Sequence, residues 1–437
     1  MKFAVPRGTS DILPDAVILW EELESKARRI CKSYGYREIR TPVYEDTNLF
    51  KRSLGSTSDV VNKQLLELAS GKGDEGFALR PEGTASVVRS YLENSFDKKE
   101  RLSKFFYIGP MFRGERPQKG RQRQFHQIGV EAIGIDGASP FLDAEVIALA
   151  MHLLKELGVK EPKLKINSLG SKEDKVLIAE FLRKKLAGHK DNLCEDCQNR
   201  FERNVFRVLD CKNEKCGEII KEILYTDASV GQPLNGMPYS DISRKYFEQV
   251  QFSLKEIGID FEISPLLVRG LDYYTHTVFE ITAEGLGSQD AVGAGGRYDR
   301  LLDDLGGDEK TEFGAIGFAL GIERILLASG RTTAAASGVD AFVIAMKEEY
   351  QPQAFLLLQQ LRKAGISADM SFSGGSMKSQ MGKADKANAR FALIIGEEEI
   401  KNQAVALKDM QASTQEAVEI ENIVSILKDK LRGPIIG

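Results

Sequence analysis

Residues 109–131, GPMFRGERPQKGRQRQFHQIGVE, predict two strands joined by a basic loop, and this segment constrains the fold more than any other. Arg113 closes the first strand, where its guanidinium group can fork onto a carboxylate or a phosphate. On the return strand, the two-residue period places Gln127, Gly129 and Glu131 on one face. The glycine leaves room for a small ligand between two polar side chains that need partners. A solvent-exposed basic hairpin is the alternative, and it fits poorly because these polar residues interrupt an otherwise apolar strand.

The overall composition is that of a soluble globular protein. Hydrophobic residues make up 42% and charged residues 28% of the 437 positions, and at about 150 residues per domain the length predicts roughly two to four domains. No apolar run reaches the ~18 residues of a membrane span, and the N-terminus lacks a signal-peptide pattern. We therefore expect a cytoplasmic protein with no membrane partner. The net charge of −4 argues against nonspecific coating of nucleic acid, but a local basic surface for one RNA stays open.

A second polar turn is predicted within FALRPEGTASVVRSYL, residues 77–92, between a strand and a helix. Thr84 is placed to cap that helix. Glu82 is expected to have no capping role, so it is a candidate ligand-binding acid.

Residues 266–282, LLVRGLDYYTHTVFEIT, predict a strand that contains Arg269 and two adjacent tyrosines, Tyr273 and Tyr274. Adjacent strand residues face opposite sides, so only one of these tyrosines can face a given pocket. Core packing is the alternative role for Tyr273.

Two glycine-bearing segments follow in the sequence. The glycines of AVGAGGRYDRL, residues 291–301, let the backbone run close to a ligand. GAIGFALGIERILL, residues 314–327, predicts a strand that runs into a helix with Arg324 near its start.

Four of the five cysteines form two close pairs, Cys194 with Cys197 and Cys211 with Cys216. Two pairs of thiolates can make a tetrahedral structural zinc site. Four reduced thiols without a metal are the alternative in a cytosolic protein. Cys31 lies within a helical pattern and is predicted to be a packing residue.

These motifs, in this order, resemble those of the class II aminoacyl-tRNA synthetases, in the form peculiar to the histidyl-tRNA synthetase family. RGERPQKGRQRQFHQ corresponds to motif 2, LRPEGT, VRGLDYY and AGGRYD are amino-acid-recognition blocks, and GFALGIER corresponds to motif 3. A helical segment at 16–34, followed by a strand with Pro42, resembles the weaker motif 1, which builds the dimer interface in class II enzymes.

The resemblance implies an α+β catalytic domain built on an antiparallel sheet flanked by helices, with a helical insertion and a C-terminal α/β anticodon-binding domain. Alternating strands and helices after the linker predict a parallel sheet covered on both faces. The expected boundaries are the catalytic core at 1–167 and 261–329, the insertion at 168–260, a linker at 330–340 and the anticodon-binding domain at 341–437.

The implied reaction is the activation of L-histidine by ATP with Mg²⁺, followed by transfer of the histidyl group to tRNA(His), by a homodimer. Glu131 and Tyr274 are expected to face each other across the pocket and to recognise the imidazole. Arg121 is equally placed for ATP and for tRNA. The implied site residues are, for histidine, Glu82, Thr84, Gln127, Glu131, Tyr273 and Tyr274; for ATP, Arg113, Glu115, Arg121, Arg269 and Arg324, with Arg113 and Arg269 catalytic; and for tRNA, Arg116 and Arg123.

Three alternatives are a regulatory paralogue that does not charge tRNA, a sensor of uncharged tRNA and a class II synthetase for another amino acid. The retained motif arginines and the terminal domain oppose the first. The second would carry an attached kinase, for which 437 residues leave no space. The VRGLDYY and AGGRYD blocks oppose the third.

Overall fold

The computed structural model describes residues 3–55, 58, 60–69, 76–118, 120–225, 237–287, 290–308, 310–331 and 338–432. The chain divides into two compact units, Met1–Leu13 with Leu19–Thr332 and Pro14–Ile18 with Thr333–Gly437. Part of the predicted linker at 330–340 lies outside the described residues. Within the described ranges, no helix combines the length and apolar character needed to cross a membrane.

The first unit is built on a large sheet. Its strands are, in chain order, β1 (Arg37–Glu38), β2 (Tyr44–Asp46), β3 (Leu66–Leu68), β4 (Phe77–Leu79), β5 (Ser103–Phe112), β6 (Gln124–Gly134), β7 (Lys163–Ser168), β8 (Glu262–Ile263), β9 (Thr275–Thr282), β10 (Ala291–Arg297) and β11 (Gly314–Gly321). In the described part of the chain, the large sheet has the order β1-β5-β6-β11-β10-β9-β7-β8, and β2-β4-β3 form a small sheet. All pairings from β5 to β7 are antiparallel, whereas β1 and β8 join the edges in parallel. The predicted antiparallel sheet is confirmed as the centre of a mixed sheet.

Helices cover this sheet and extend from it. They are α1 (Pro14–Ser33), α2 (Thr47–Leu54), α3 (Thr84–Glu93), α4 (Phe96–Lys99), α5 (Pro140–Glu156), α6 (Lys172–Leu186), α7 (Glu195–Arg203), α8 (Glu214–Tyr225), α9 (Asp241–Glu256), α10 (Leu301–Asp304) and α11 (Ile322–Ser329). A 3₁₀ turn at Val205–Val208 follows α7. The described residues between 168 and 260 are mainly helical, as expected for the insertion, and α9 packs against α5.

The two faces of the sheet have different roles because side chains alternate along β6. Ile128, Val130 and Ala132 are buried in one apolar cluster together with residues of α1, α5 and α9. The intervening residues of β6, including Gln127 and Glu131, therefore face the opposite side. That side is left for the candidate site.

The second unit has its own sheet and helices. These are β12 (Ala341–Ala345), α12 (Gln351–Lys363), β13 (Ala368–Met370), α13 (Met377–Lys386), β14 (Phe391–Ile395), α14 (Glu397–Lys401), β15 (Ala404–Asp409), β16 (Gln415–Glu419) and α15 (Ile423–Arg432). Apolar clusters lie on both sheet faces, with Leu358 of α12 in one and Ala384 of α13 in the other.

The prediction of an all-parallel sheet in this unit is wrong. The sheet has the order β13-β12-β14-β15-β16 in the described residues, and only its first three strands are parallel. Strands β15 and β16 form an antiparallel hairpin that Asp409 N closes by donating to Thr414 O at 2.9 Å. A hairpin needs only a short turn and no crossover helix, so the helix–strand alternation stops before it.

Candidate active site

A cavity of about 820 Å³ opens on the free face of the eight-stranded sheet. It collects residues that are far apart in sequence, from the turn before α3 to the start of α11. The predicted site residues that line it are Glu82, Thr84, Arg113, Glu115, Arg121, Gln127, Arg269, Tyr273, Tyr274 and Arg324. Glu131, Arg116 and Arg123 are outside this lining, and the last two are exposed.

Gln127 lies on the cavity wall near the middle of the sheet. Its register partner on β11 is Gly321 and on β5 is Gly109, so small neighbours flank it on both sides. Its Oε1 atom is buried and has no hydrogen-bond partner among the described residues. A buried acceptor of this kind is costly unless a ligand donor reaches it.

The space above Gly129 is filled by protein, so the prediction that it admits a ligand is wrong. A Cβ atom at Gly129 would lie 2.1 Å from Cζ of Tyr107, and one at Gly83 would lie 2.3 Å from the same atom. Both glycines therefore accommodate the Tyr107 ring. This buried tyrosine comes from the neighbouring strand β5, a pairing that the local sequence pattern does not reveal.

Glu131 lies directly behind the cavity wall and is fully buried. Thr84 Oγ1 donates to its Oε1 at 2.7 Å, and the Tyr298 hydroxyl donates to its Oε2. A Cβ atom at Gly317 would also meet Oε2, at 1.9 Å. Thr84, Tyr298 and Gly317 line the cavity and Glu131 does not, so the expectation that Glu131 faces Tyr274 across open space is wrong.

The protonation state of Glu131 follows from this burial. Desolvation raises the pKa of Glu131 to about 8, and its hydrogen bonds from Tyr298 and Thr84 act in the opposite direction. The carboxyl group is therefore mostly protonated at neutral pH in the ligand-free protein. It can exchange that proton when a ligand donor or acceptor arrives.

The capping role predicted for Thr84 belongs to Glu82. The Glu82 carboxylate caps α3, because the backbone N–H groups of Thr84 and Ala85 donate to its Oε2 and Oε1 at 2.7 and 2.9 Å. The Thr84 hydroxyl instead donates to Glu131. Burial raises the pKa of Glu82, and the two backbone hydrogen bonds oppose that shift. An acid at a helix N-terminus also gains from the helix dipole.

Arg113 marks the end of the first strand of the hairpin, as predicted. Its Nε donates to Pro81 O at 2.9 Å, and its guanidinium lies 5.4 Å from the centre of the Phe125 ring. Burial lowers the pKa of Arg113, and the carboxylates of Glu115 and Glu82 raise it. The hydrogen bond from Nε thus orients the guanidinium group of Arg113, which lines the cavity.

The three other arginines among the predicted site residues also line the cavity, and neighbouring groups hold each of them. Arg269 pairs with Glu280 Oε2 at 2.8 Å, and Arg121 pairs with Glu115 Oε2 at 3.2 Å. Arg324 Nε donates to Gly120 O at 3.0 Å. Guanidinium groups held in this way are already oriented to bind the oxygen atoms of an anionic ligand.

Both Tyr273 and Tyr274 line the cavity, with ring centroids 4.6 Å apart. The rule that only one of two adjacent tyrosines can face the pocket is wrong here because β9 begins at Thr275, after both of them. They lie in irregular backbone, where strand alternation does not apply. Burial raises the pKa of each tyrosine, so both are neutral hydrogen-bonding groups.

The four clustered cysteines come together at the edge of the same cavity. Their sulfur atoms all lie within 4.8 Å of one another, and Cys194 Sγ is 3.8 Å from Cys211 Sγ. The backbone N–H of Cys194 donates to Cys216 Sγ at 3.2 Å. Cys194 and Cys211 line the cavity, so the cluster also supports its wall.

Cys31 is buried far from this cluster in sequence, and burial raises its pKa to about 12. It is an inert packing residue of α1, as predicted.

The sequence pattern did not single out Tyr107 and Tyr298. Both are buried with their hydroxyl groups at Glu131. Tyr298 lies within the AGGRYD block, and the ion pairs of its neighbour Arg297 with Asp143 and Asp299, at 2.6 and 2.7 Å, fix its backbone. The RYD run could have identified Tyr298 from the sequence. The position of Tyr107 in the site could not be identified in this way, because it depends on the pairing of β5 with β6.

Comparison with known proteins identifies the family. The family model "Histidyl-tRNA synthetase" matches residues 8–325, and the model "Anticodon binding domain" matches residues 340–430. The chain belongs to the histidyl-tRNA synthetase family. The two matches correspond to the two compact units, and the cavity lies within the first match.

Relatives of the family support this assignment over nearly the whole chain. A protein named histidine–tRNA ligase from Geobacillus sp. (strain WCH70) is 45% identical and covers 99% of this chain and 100% of its own length. One of the same name from Desulforamulus reducens is 43% identical, over 97% of this chain and 98% of its own. The crystal structure of apo S. aureus histidyl-tRNA synthetase is 35% identical, with a TM-score of 0.79, and covers 98% and 100% of the two chains.

Proposed function

We propose that the protein activates L-histidine with ATP and transfers it to tRNA(His), as a histidine–tRNA ligase. The observation that supports this most directly is a single cavity that combines acceptors for an amino-acid ammonium group with anchored arginines for phosphates. In the first step, the histidine carboxylate attacks the ATP α-phosphate, which gives histidyl-adenylate and pyrophosphate. In the second, the 3′-terminal ribose hydroxyl of the tRNA takes the histidyl group, and AMP leaves.

Arg113 and Arg269 are the catalytic residues of this proposal. Arg113 holds the histidine carboxylate and the α-phosphate together for in-line attack, since its Nε is already fixed by Pro81 O. Arg269 neutralises the charge that develops on the α-phosphate, supported from behind by Glu280. Both steps depend on positioning and charge stabilisation.

The other phosphates and the adenine are assigned to the rest of the arginine group. Arg324, at the start of α11, stacks on the adenine and contacts the γ-phosphate, and Arg121 with Glu115 binds at the triphosphate. Mg²⁺ that enters with ATP would supply positive charge to the outer phosphates and so favour pyrophosphate as leaving group. Glu115 is a carboxylate on the cavity wall, which suits an ion that is held by one or two carboxylates plus substrate oxygens.

Histidine is held at both ends. The ammonium group is bound by Gln127, whose Oε1 lacks a partner among the described residues, together with Glu82 and Thr84. The imidazole lies against Tyr273 and Tyr274. Glu131 recognises it when Thr84 and Tyr298 release their hydrogen bonds to the carboxyl group. A buried acceptor that a wrong side chain leaves unpaired gives strong discrimination.

The tRNA is assigned to exposed basic and helical parts of the chain. Arg116 and Arg123 lie outside the cavity on the motif 2 loop and are exposed, so they are available to the acceptor end. The insertion at 168–260 contacts the acceptor arm, and the unit after the linker, 341–437, binds the anticodon. The boundaries 1–167 and 261–329 for the catalytic core belong to the same proposal.

The cysteine cluster is proposed to bind one structural Zn²⁺. Tetrahedral coordination with Zn–S bonds of about 2.3 Å places sulfur atoms about 3.8 Å apart, and the Cys194–Cys211 separation is 3.8 Å. Cys197 and Cys216 complete the set within 4.8 Å. Metal analysis of purified protein is expected to give one zinc per chain, and a metal-free, fully active protein would overturn the assignment.

We also propose a homodimer located in the cytoplasm. The predicted interface contains the strand region around Pro42, where the neighbouring Val43 and Tyr44 are 42% and 51% exposed. Exposed apolar side chains at a sheet edge are typical of contact surfaces. Light scattering at micromolar concentration is expected to give twice the chain mass of 48.5 kDa, and a concentration-independent monomer would contradict the dimer.

Charging of tRNA tests the proposed function against a regulatory paralogue. The protein is incubated with ATP, Mg²⁺, labelled histidine and a tRNA(His) transcript, with a tRNA for another amino acid as control. We expect label to accumulate on tRNA(His) alone. Histidine binding without any charging would favour the regulatory alternative and overturn the ligase.

A further inference from the structure

The segment that carries three proposed site residues has no regular structure of its own. Residues 269–274 lie between β8 and β9 and include Arg269, Tyr273 and Tyr274. No strand ladder fixes their backbone, because pairing of β9 begins at Thr275. Their position must therefore be set by side chains from elsewhere.

Packing behind this segment is incomplete. A second cavity of about 580 Å³ lies behind it and is lined by Asp272, Tyr273 and Thr275 on one side and by Lys175 and Asn204 on the other. A loop with solvent-open space beside it is free to shift unless hydrogen bonds tie it to the other side of that space.

Three side chains of the insertion tie the segment, two of them beside this second cavity and Arg207 beside the first one, and we call them the insertion clamp. Arg207 Nη1 donates to Gly270 O at 2.8 Å, and Asn204 Nδ2 donates to Asp272 Oδ1 at 2.8 Å. Lys175 Nζ, from α6, donates to the backbone oxygens of Asp272 and Tyr274 at 3.3 and 2.9 Å.

Lys175 is the central member of the clamp. Its ammonium group bonds the carbonyl groups on both sides of Tyr273, so one side chain fixes the backbone of the whole tyrosine pair. Burial lowers the pKa of Lys175, and Asp272 raises it. The Lys175 side chain is half-buried, and its charge-assisted hydrogen bonds to the two carbonyl groups offset the cost of removing the ammonium group from water.

We propose that Lys175, Asn204 and Arg207 are positioning residues that hold the histidine pocket in its binding shape, so that the insertion controls the affinity for histidine. The inference rests on the proposed function. It predicts that loosening the clamp raises the KM for histidine and leaves the KM for ATP nearly unchanged. Of the proposed phosphate-binding residues, Arg113 and Arg324 lie outside the clamped segment, and Arg269 lies within it but is also held by Glu280 at 2.8 Å.

Lys175→Met tests the clamp with a side chain of similar length that cannot donate. Lys184→Met is the matched control, because Lys184 is an exposed lysine of the same helix. ATP–pyrophosphate exchange is measured while histidine and ATP are varied in turn. Loss of two charge-assisted hydrogen bonds is expected to raise the KM for histidine by about tenfold or more, with the KM for ATP within about twofold. Lys175→Arg is expected to restore part of the affinity.

Hydrogen–deuterium exchange supplies a readout that does not depend on activity. In Lys175→Met, peptides that cover residues 266–275 are expected to exchange faster than in the unmutated protein, whereas Lys184→Met leaves them unchanged. If Lys175→Met does not fold, pyrophosphate exchange and hydrogen–deuterium exchange are measured on Asn204→Ala instead. This variant removes the hydrogen bond to Asp272 and leaves the lysine in place.

The outcomes separate the clamp from the proposed function. An unchanged KM for histidine with unchanged exchange at 266–275 would overturn the clamp while histidine activation stands. Equal rises in both KM values would also overturn it, since that is the result of a merely structural role. No histidine-dependent reaction in the unmutated protein would refute the proposed function, and faster exchange at 266–275 would then still support the clamp.

Discussion

Glu131→Gln is expected to make the first unit less sensitive to a rise in pH from 6 to 8. Glu131 is fully buried, and its pKa is raised from 4.5 to about 8. A carboxyl group whose pKa is raised in the folded state contributes its full stability below pH 4.5 and loses it as the pH rises through about 8. Glutamine keeps the shape and one acceptor oxygen but cannot ionise, so the variant lacks this loss.

The magnitude follows from the shift. Each pH unit inside the window is worth about 1.4 kcal/mol, and integration of the two titrations from pH 6 to pH 8 gives a loss of about 2 kcal/mol in the unmutated protein. In a unit of some 300 residues, with an unfolding entropy of about 2 cal/mol/K per residue, this loss of free energy corresponds to a decrease in Tm of about 3 °C. The variant is thus expected to lose less free energy of unfolding than the unmutated protein over this interval.

Thermal unfolding of the two proteins at pH 6 and pH 8 measures the difference. Between these pH values, the Tm of the unmutated protein is expected to fall by about 3 °C more than the Tm of Glu131→Gln. Glu156→Gln is the control, because Glu156 is an exposed glutamate of the same unit; it should lose as much as the unmutated protein. Identical losses in the unmutated protein and in Glu131→Gln would refute the argument that Glu131 is protonated in the folded state.

Three further substitutions address the site directly. Glu131→Ala should raise the KM for histidine by about 100-fold in pyrophosphate exchange, because it removes a buried partner, and an equal rise for ATP would contradict its role. Arg113→Gln should lower the kcat of activation by about 100-fold or more, as for loss of one charge-stabilising donor; an effect on KM alone would argue against catalysis. Gly129→Ala should destabilise the unit by about 1–3 kcal/mol through overlap with Tyr107, and unchanged unfolding would show that the ring has space to move.

The hairpin was the most predictable part of the site because its information is local. The two-residue period placed Gln127 and Glu131 on the site face of β6. The predicted end of the first strand placed Arg113, which directly follows β5. The occupant of the space above Gly129 was not predictable in this way. Tyr107 reaches it from the neighbouring strand, and that position depends on the pairing register.

Turn geometry explains the other differences. Whether Glu82 or Thr84 caps α3 depends on the backbone dihedral angles of the turn, which residue types alone do not determine. Tyr273 and Tyr274 share one cavity because strand β9 begins after them, and the first residue of a strand is set by its partners. The family motifs identified both sets of residues, whereas their contacts required the fold.

Amino-acid-dependent ATP–pyrophosphate exchange tests the central claim most directly. The protein is incubated with ATP, Mg²⁺ and labelled pyrophosphate, and each of the twenty amino acids is supplied separately. The cavity described above predicts exchange with L-histidine and none above background with the others. Exchange driven by a different amino acid, or no exchange with histidine, would contradict the account.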